Sequence, residues 1–229
     1  MNDQFERLVP LYGENKLNML AEKTVAVIGL GGVGAIAAES LCRMGVGTLI
    51  IMDKDVITKS NINRLITASY DTIGKNKTWI SKARLLSINP NCKVIDYNTI
   101  FNDNMVEPLF AHPIDFIFDA IDSVKSKALL IEHAQKNTIP IISSVGQGNR
   151  KDSSQIVIKN LFDTSYDPLA KKLRIECRKK GINEAVPVVF SKEQPLKDST
   201  IPFIASNPFG PATAGLRAAE YICLTLMEG

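Results

Sequence analysis

The sequence predicts an α/β fold: a mainly parallel sheet with helices on both faces, extended by antiparallel strands. Three observations carry this. Short apolar, β-branched runs alternate with segments of helical period over the first two-thirds of the chain, the signature of βαβ units. A glycine cluster, Gly29, Gly31, Gly32 and Gly34, stands where one strand gives way to a helix. After Gly146-Gln-Gly-Asn-Arg150 the pattern changes, and Gln155-Ile-Val-Ile-Lys159 alternates as an antiparallel strand does.

The elements follow in order. A helix is expected over about 6–21, then strands near 25–29, 48–52, 93–97, 115–119 and 139–143. Helices near 33–44, 75–88, 103–110 and 123–136 fill the gaps, because apolar residues there recur at helical spacing. A basic helix over 168–179 follows the antiparallel strand. Residues 182–202 hold Pro187, Pro195 and Pro202 and are expected to form a long crossover loop. Such loops in compact domains are usually functional, and this one is expected to fold over the ligand site. Pro208 to Met227 closes the chain as a helix, with Gly215 allowing close packing.

The glycines add chemistry to this Rossmann-like frame. Thr24–Ile28 is a buried strand by composition, and Gly29-x-Gly-x-x-Gly34 follows it at once, opening the helix that carries Val33, Ile36, Ala37, Leu41 and Met44. Glycines let the backbone turn sharply and approach a phosphate, which the helix N-terminus attracts through its unpaired N–H groups. The strand Thr48–Met52 ends at Asp53, nineteen residues after Gly34, where a carboxylate can bond ribose hydroxyls.

A dehydrogenase would need a hydride-transfer site with an acid–base residue. The two histidines, His112 in a loop and His133 in a helical segment, suit structural roles better. The stretch after Asp53 is instead polar and cationic: Asp55, Asn61, Asn63 and Arg64, then Gly74-Lys-Asn-Lys77. Arginine and lysine neutralise the charge of a triphosphate during transfer at its α-phosphate. These residues therefore favour ATP over a dinucleotide.

At Gly29-x-Gly-Gly-x-Gly34, Asp53, Asn61-x-Asn-Arg64, Gly74-x-x-Lys77, Ile88-Asn-Pro90 and Asp119-Ala-Ile-Asp122 the chain resembles the ubiquitin-activating-like (ThiF/MoeB-type) adenylyltransferases. The resemblance implies a single adenylating domain over 1–229. It also implies that Gly29, Gly31, Gly32, Gly34, Asp55 and Asn61 line the nucleotide site, with Asp53 on the ribose. Arg64 and Lys77 would act on the phosphates, and Asp122 would hold the Mg2+ of Mg-ATP. In that superfamily the arginine commonly reaches the nucleotide of a partner subunit, which implies a homodimer. Leu65 departs from the pattern, since many members carry glutamine after the arginine.

Features outside these motifs resemble the tRNA threonylcarbamoyladenosine dehydratases: Phe5–Gly13, Asp119–Lys127, Asp167–Arg174, Arg178–Ile182 and Val188–Pro195. This family uses ATP to adenylate the threonyl carboxylate on a modified adenosine of tRNA, and a nitrogen of the same side chain then displaces AMP and closes a ring. On that resemblance residues 1–150 bind the nucleotide and 151–229 face the substrate. The alternative is an adenylyltransferase for the C-terminus of a ubiquitin-like sulfur carrier. A sulfurtransferase or carrier partner stays open on either reading.

Cys42, Cys92, Cys177 and Cys223 form no C-x-x-C pair, so the four-thiolate zinc clip of many sulfur-carrier activators cannot be built from them. Cys42 and Cys223 sit in apolar helical patterns. Cys177 lies among Arg174, Arg178 and Lys179, a setting that can lower a thiol's pKa. Asp119 ends an apolar strand, where ligands bind in open α/β sheets, and Asp122 can serve as a ligand or a helix N-cap. Asp55 can bind magnesium or brace Arg64.

The net charge of +3 is a weak nucleic-acid signal, although Lys171, Lys172, Arg174, Arg178, Lys179 and Lys180 crowd one segment. Aromatics make up only 7% of residues, and no stacking strip is visible along the sequence. With no apolar run of about twenty residues, no basic-then-apolar leader and no disulfide framework, the expected location is the cytoplasm.

Overall fold

The computed structural model describes residues 3–182, 185–196, 200 and 202–228. A 3-10 turn, Asp3–Leu8, leads into helices α1 (Val9–Tyr12) and α2 (Glu14–Ala21). Strand β1 (Thr24–Ile28), helix α3 (Gly34–Arg43) and strand β2 (Thr48–Met52) follow. Next come helix α4 (Lys77–Ile88), strand β3 (Lys93–Tyr97), the short helix α5 (Val106–Phe110) and strand β4 (Phe116–Asp119). Helix α6 (Val124–Lys136), strands β5 (Ile141–Ser144) and β6 (Ile156–Asn160) and helix α7 (Pro168–Lys179) lead to strand β7 (Pro187–Ser191) and helix α8 (Phe209–Glu228).

One seven-stranded sheet runs in the order β3-β2-β1-β4-β5-β7-β6. All neighbours are parallel except β6 and β7, which pair antiparallel. The five inner strands are buried on both faces, so their side chains alternate between two cores, while the edge strands β3 and β6 are partly exposed. Val25, Val27, Leu49, Ile51, Phe116 and Phe118 meet α3, α4 and α8 on one face. Ala26, Ile28, Ile50, Met52 and Ile117 meet α5, α6 and α7 on the other.

The loop expected over 182–202 is interrupted by β7, which enters the sheet between β5 and β6. Val186, Val188, Val189 and Phe190 are buried there, and Pro187 is tolerated as the first strand residue, where its missing N–H costs least. Residues 192–196 and 202–208 are the two described legs of a strap between β7 and α8; 197–199 and 201 lie outside the described residues. Both cores draw on residues before and after 150. No helix among the described residues is long and apolar enough to cross a membrane.

Candidate functional site: a phosphate loop at the sheet's switch point

The strand order reverses between β1 and β4, and open α/β sheets bind ligands outside the carboxyl ends of the strands at such a point. Gly29 leaves β1 with φ +98°, and a β-carbon there would stand 2.5 Å from the carbonyl oxygen of Ala120, just beyond β4. Gly29 N–H donates to the Met52 carbonyl at 2.7 Å, which ties the turn to β2. A β-carbon on Gly32 would meet the Arg64 carbonyl oxygen at 3.0 Å and Pro211 Cβ at 3.1 Å. At Gly31 nothing lies within 4 Å. The loop is therefore packed on three sides and open at Gly31. No side chain caps α3; Ala35 N–H is taken by the Gly31 carbonyl at 3.1 Å, which leaves Gly34 and Ile36 N–H as the first-turn donors that can face an anion.

Asp53 anchors this loop. Its carboxylate accepts from Leu30 N–H at 2.7 Å and from Asp55 N–H at 2.8 Å. Lone pairs remain on both oxygens for a further donor, since an ionised carboxylate offers about four acceptor positions. Lys77, the first residue of α4, places Nζ 2.9 Å from Asp55 and 3.5 Å from Asp53. Asp55 thus pairs with Lys77. The expected brace to Arg64 is not made: the Arg64 guanidinium donates to Ser60 O at 2.8 Å and Asn63 Oδ1 at 3.0 Å. Arg64 nevertheless lies on the phosphate loop of its own chain, through its contacts with Gly32. The Asn61 side chain accepts from Thr58 N–H at 3.1 Å and closes the turn that carries Arg64.

Leu65, in place of the usual glutamine, is buried with Ala35 and Ile57. This apolar cluster joins α3 to the 54–76 segment.

Asp122 is exposed on the loop after β4. It does not cap α6, whose N-cap is Ser123. Among the described residues no group of three His, Cys, Asp or Glu converges on a possible metal site. Asp119, by contrast, is a structural residue. It is fully buried, its Oδ2 accepts from Lys127 Nζ at 3.0 Å and Ser143 Oγ at 2.6 Å, and its Oδ1 accepts from Ile121 N–H at 3.1 Å. This buried triad, not visible in the sequence, fixes the loop that presents Asp122.

All four cysteines are free thiols and buried. Burial pushes the Cys177 thiol up to about 11 and Cys223 up to about 12, so the basic neighbours of Cys177 do not make it a nucleophile. His112 bonds the Tyr97 hydroxyl at 2.7 Å and His133 packs on Phe110, the structural roles expected of them. The basic segment is only partly free. Arg174 turns inward to Leu161 and Thr164, Arg178 covers the Phe162 ring, and Lys179 and Lys180 pair with Glu176 and Glu132. Lys171 and Lys172 are exposed.

The model of the ThiF family matches residues 4–219, nearly the whole described fold. The chain belongs to the ThiF family. Within this family it is 35% identical to the tRNA threonylcarbamoyladenosine dehydratase of Bacillus subtilis, over 100% of the chain and 96% of the relative. The crystal structure of the Escherichia coli tRNA N6-threonylcarbamoyladenosine dehydratase, TcdA, in complex with ATP superposes with a TM-score of 0.91 at 33% identity, covering 98% of this chain and 94% of that one. The complex of the same E. coli protein with AMP gives a TM-score of 0.93 at 32% identity, with the same coverage.

Proposed function

We propose that this ThiF-family protein is an ATP-dependent, cyclising tRNA threonylcarbamoyladenosine dehydratase. The observation that carries the reading is the convergence of the open phosphate loop, the Asp53–Lys77–Asp55 ion cluster and Arg64 in a chain that is similar to such dehydratases from end to end. The α3 N-terminus and the loop amides hold the phosphates around Gly31, and Asp53 orients the ribose. The threonyl carboxylate attacks the α-phosphorus and pyrophosphate leaves. Arg64 and Lys77 neutralise the negative charge that grows on the α-phosphate oxygens as this happens. A nitrogen of the same side chain then attacks the adenylated carbonyl carbon and loses its proton, and AMP departs, so that one water is lost overall. A Mg2+ held by Asp122 would supply further neutralisation of the triphosphate.

The chain works as a homodimer on this reading. Val56, Ile66, Tyr70, Ile73 and Trp79 are exposed apolar side chains in the 54–76 insertion and the first turn of α4, and a patch of this kind supports self-association. It flanks Arg64 and Lys77, so a docked copy would border the nucleotide. A cytoplasmic location suits the tRNA substrate and the four free thiols.

The test is nucleoside mass analysis of threonylcarbamoyladenosine-bearing tRNA after incubation with the protein, ATP and Mg2+. The expected result is loss of one water from the modified nucleoside with AMP formed in equal amount. Arg64→Ala and Asp122→Ala should lower turnover by about 100-fold or more and stay folded. An unchanged nucleoside, from protein that binds ATP, overturns the reading and points to a protein carrier as the adenylated substrate.

A further inference from the structure

The fold gathers aromatics that are scattered in the sequence. Phe203 and Phe209 are 70% and 65% exposed, Ile204 76% and Tyr166 60%. A network built on Asn149 and Arg150 brings their two segments together. Asn149, at φ +60°, donates its N–H to Ala205 O at 2.7 Å and accepts from Ala205 N–H on its side chain at 2.7 Å. Its carbonyl takes Leu196 N–H at 2.7 Å, so both described legs of the strap rest on one residue. Arg150 is buried and bonds the Asp167 carboxylate at 3.3 Å, beside Tyr166. The Arg150 carbonyl accepts from Asn207 Nδ2 at 3.0 Å, and the Asn207 side chain in turn caps the start of α8 through Phe209 and Gly210 N–H.

The strap touches the turn that carries Arg64, and α8 touches the glycine loop. Asn63 Nδ2 donates to Ser206 O at 3.0 Å, next to Arg64, and Pro211 lies against Gly32. Burial elsewhere in the chain does not explain why a strap held by so many bonds should present bulky apolar side chains to water. Ser206 ties their segment to the turn that carries Arg64, and Lys151 and Lys171, next to Arg150 and four residues beyond Asp167, are exposed.

We propose that Tyr166, Phe203, Ile204 and Phe209 form a stacking platform for unpaired RNA bases beside the adenosine being modified, with Lys151 and Lys171 on the phosphates. The inference rests on the tRNA reading above and adds the surface that holds the substrate. An adenosine carrying a side chain into the phosphate loop lies in a single-stranded stretch, and its neighbours can then be splayed out. Unpaired bases are bound by stacking on aromatic faces, with cations along the backbone. The Asn149–Arg150–Asn207 network is the positioning device that keeps the platform aligned with the loop.

The experiment uses the full chain and a fluorescently labelled anticodon stem-loop carrying threonylcarbamoyladenosine. Anisotropy titrations would compare wild type with Phe203→Ala, Phe209→Ala, Phe203→Tyr, Phe209→Tyr and Lys151→Ala across a salt series. The expected result is a loss of affinity of about tenfold for each Phe→Ala variant, near-wild-type binding by the tyrosine variants and unchanged ATP affinity. Lys151→Ala should weaken binding and lower the salt slope by about one unit. Wild-type binding by both alanine variants overturns the platform while leaving the dehydratase reading intact. So does a Phe→Ala variant that changes the protein's sedimenting mass, since the surface would then cover a second copy. A wild type that neither binds the stem-loop nor dehydrates it sinks both.

Discussion

A β-carbon placed on Gly34 would overlap the carbonyl oxygen of Gly29, whereas one on Gly31 meets nothing within 4 Å. A single methyl therefore separates glycines needed by the fold from one that leaves room for a ligand. Gly34→Ala must push α3 away from the β1 turn. It should cost about 1–3 kcal/mol, a fall in Tm of roughly 3–10 °C for a chain of this size. Gly31→Ala should melt within about 2 °C of wild type yet bind ATP about tenfold or more weakly, because its methyl occupies space that phosphate oxygens would take. Thermal melts and calorimetric titration with a non-hydrolysable ATP analogue check both, and wild-type ATP affinity in Gly31→Ala would move the phosphates elsewhere. The spacing of the glycines announced a phosphate loop, but it could not divide this labour, which depends on Ala120, Arg64 and Pro211 arriving from distant segments. The same limit applies to the carboxylates. Asp53, Asp119 and Asp122 all lie at or just beyond strand ends in the sequence, yet Asp119 is consumed by Lys127 and Ser143. Only the packed structure separates it from Asp122.

At the scale of elements, α6 and α7 are joined across their exposed edges by Glu132, which pairs with Lys136 at 2.7 Å and Lys180 at 2.6 Å. The hydrogen bonds from Lys136 and Lys180 lower its pKa from the ordinary carboxylate range to about 2. A depressed carboxylate contributes stability above its unfolded pKa, and the contribution disappears as pH falls through the folded value. Glu132→Gln should therefore melt about 1–4 °C below wild type at pH 6–7, given the modest worth of exposed pairs. The gap should close between about pH 4.5 and 2. Melting curves across that range measure it, and a gap independent of pH would mean that packing, not charge, is what the substitution removes. This link helps to explain why the basic segment after Asp167 is a poor guide to function when read alone: half of its charge fastens helices. Strand β7 was obscured for a related reason. Pro187 within it and Pro195 and Pro202 after it mark a loop in local chemistry, and only the place between β5 and β6 in the sheet makes Pro187–Ser191 a central strand. The alternating β1–β5 units needed no such context, because both faces of a parallel strand are buried and the apolar runs declare themselves.

Across the whole molecule, the division at residue 150 has no counterpart in packing. Phe116 and Val27 share a core with Val189, Ala214 and Ile222, while Ile28 and Ile117 share the other with Leu173 and Phe190. Helix α8 joins the two parts directly, with Gly215 packed against the Val33 carbonyl at the start of α3. The nucleotide face is bordered on one side by this strap and on the other by the 54–76 insertion, and the two borders carry different exposed surfaces. The strap side combines aromatics with cations, as RNA demands. The 54–76 side exposes Trp79 at 61% and Tyr70 at 74%, with Lys59 Nζ 6.0 Å above the Tyr70 ring, and exposed apolar side chains rimmed by polar residues mark association surfaces. The chain should therefore sediment at twice its 25.1 kDa mass. If the proposed dimer covers Trp79, Trp79→Glu would bury an unpaired carboxylate, which is strongly disfavoured, and should shift the protein to the monomer. Because Lys77 and Arg64 flank the same surface, turnover should fall with dissociation and recover as protein concentration rises, while Phe203→Ala leaves the mass unchanged. Sedimentation velocity over a concentration series reads the outcome directly. A wild type that stays monomeric, or a Trp79→Glu variant that stays dimeric, would remove this face from the assembly.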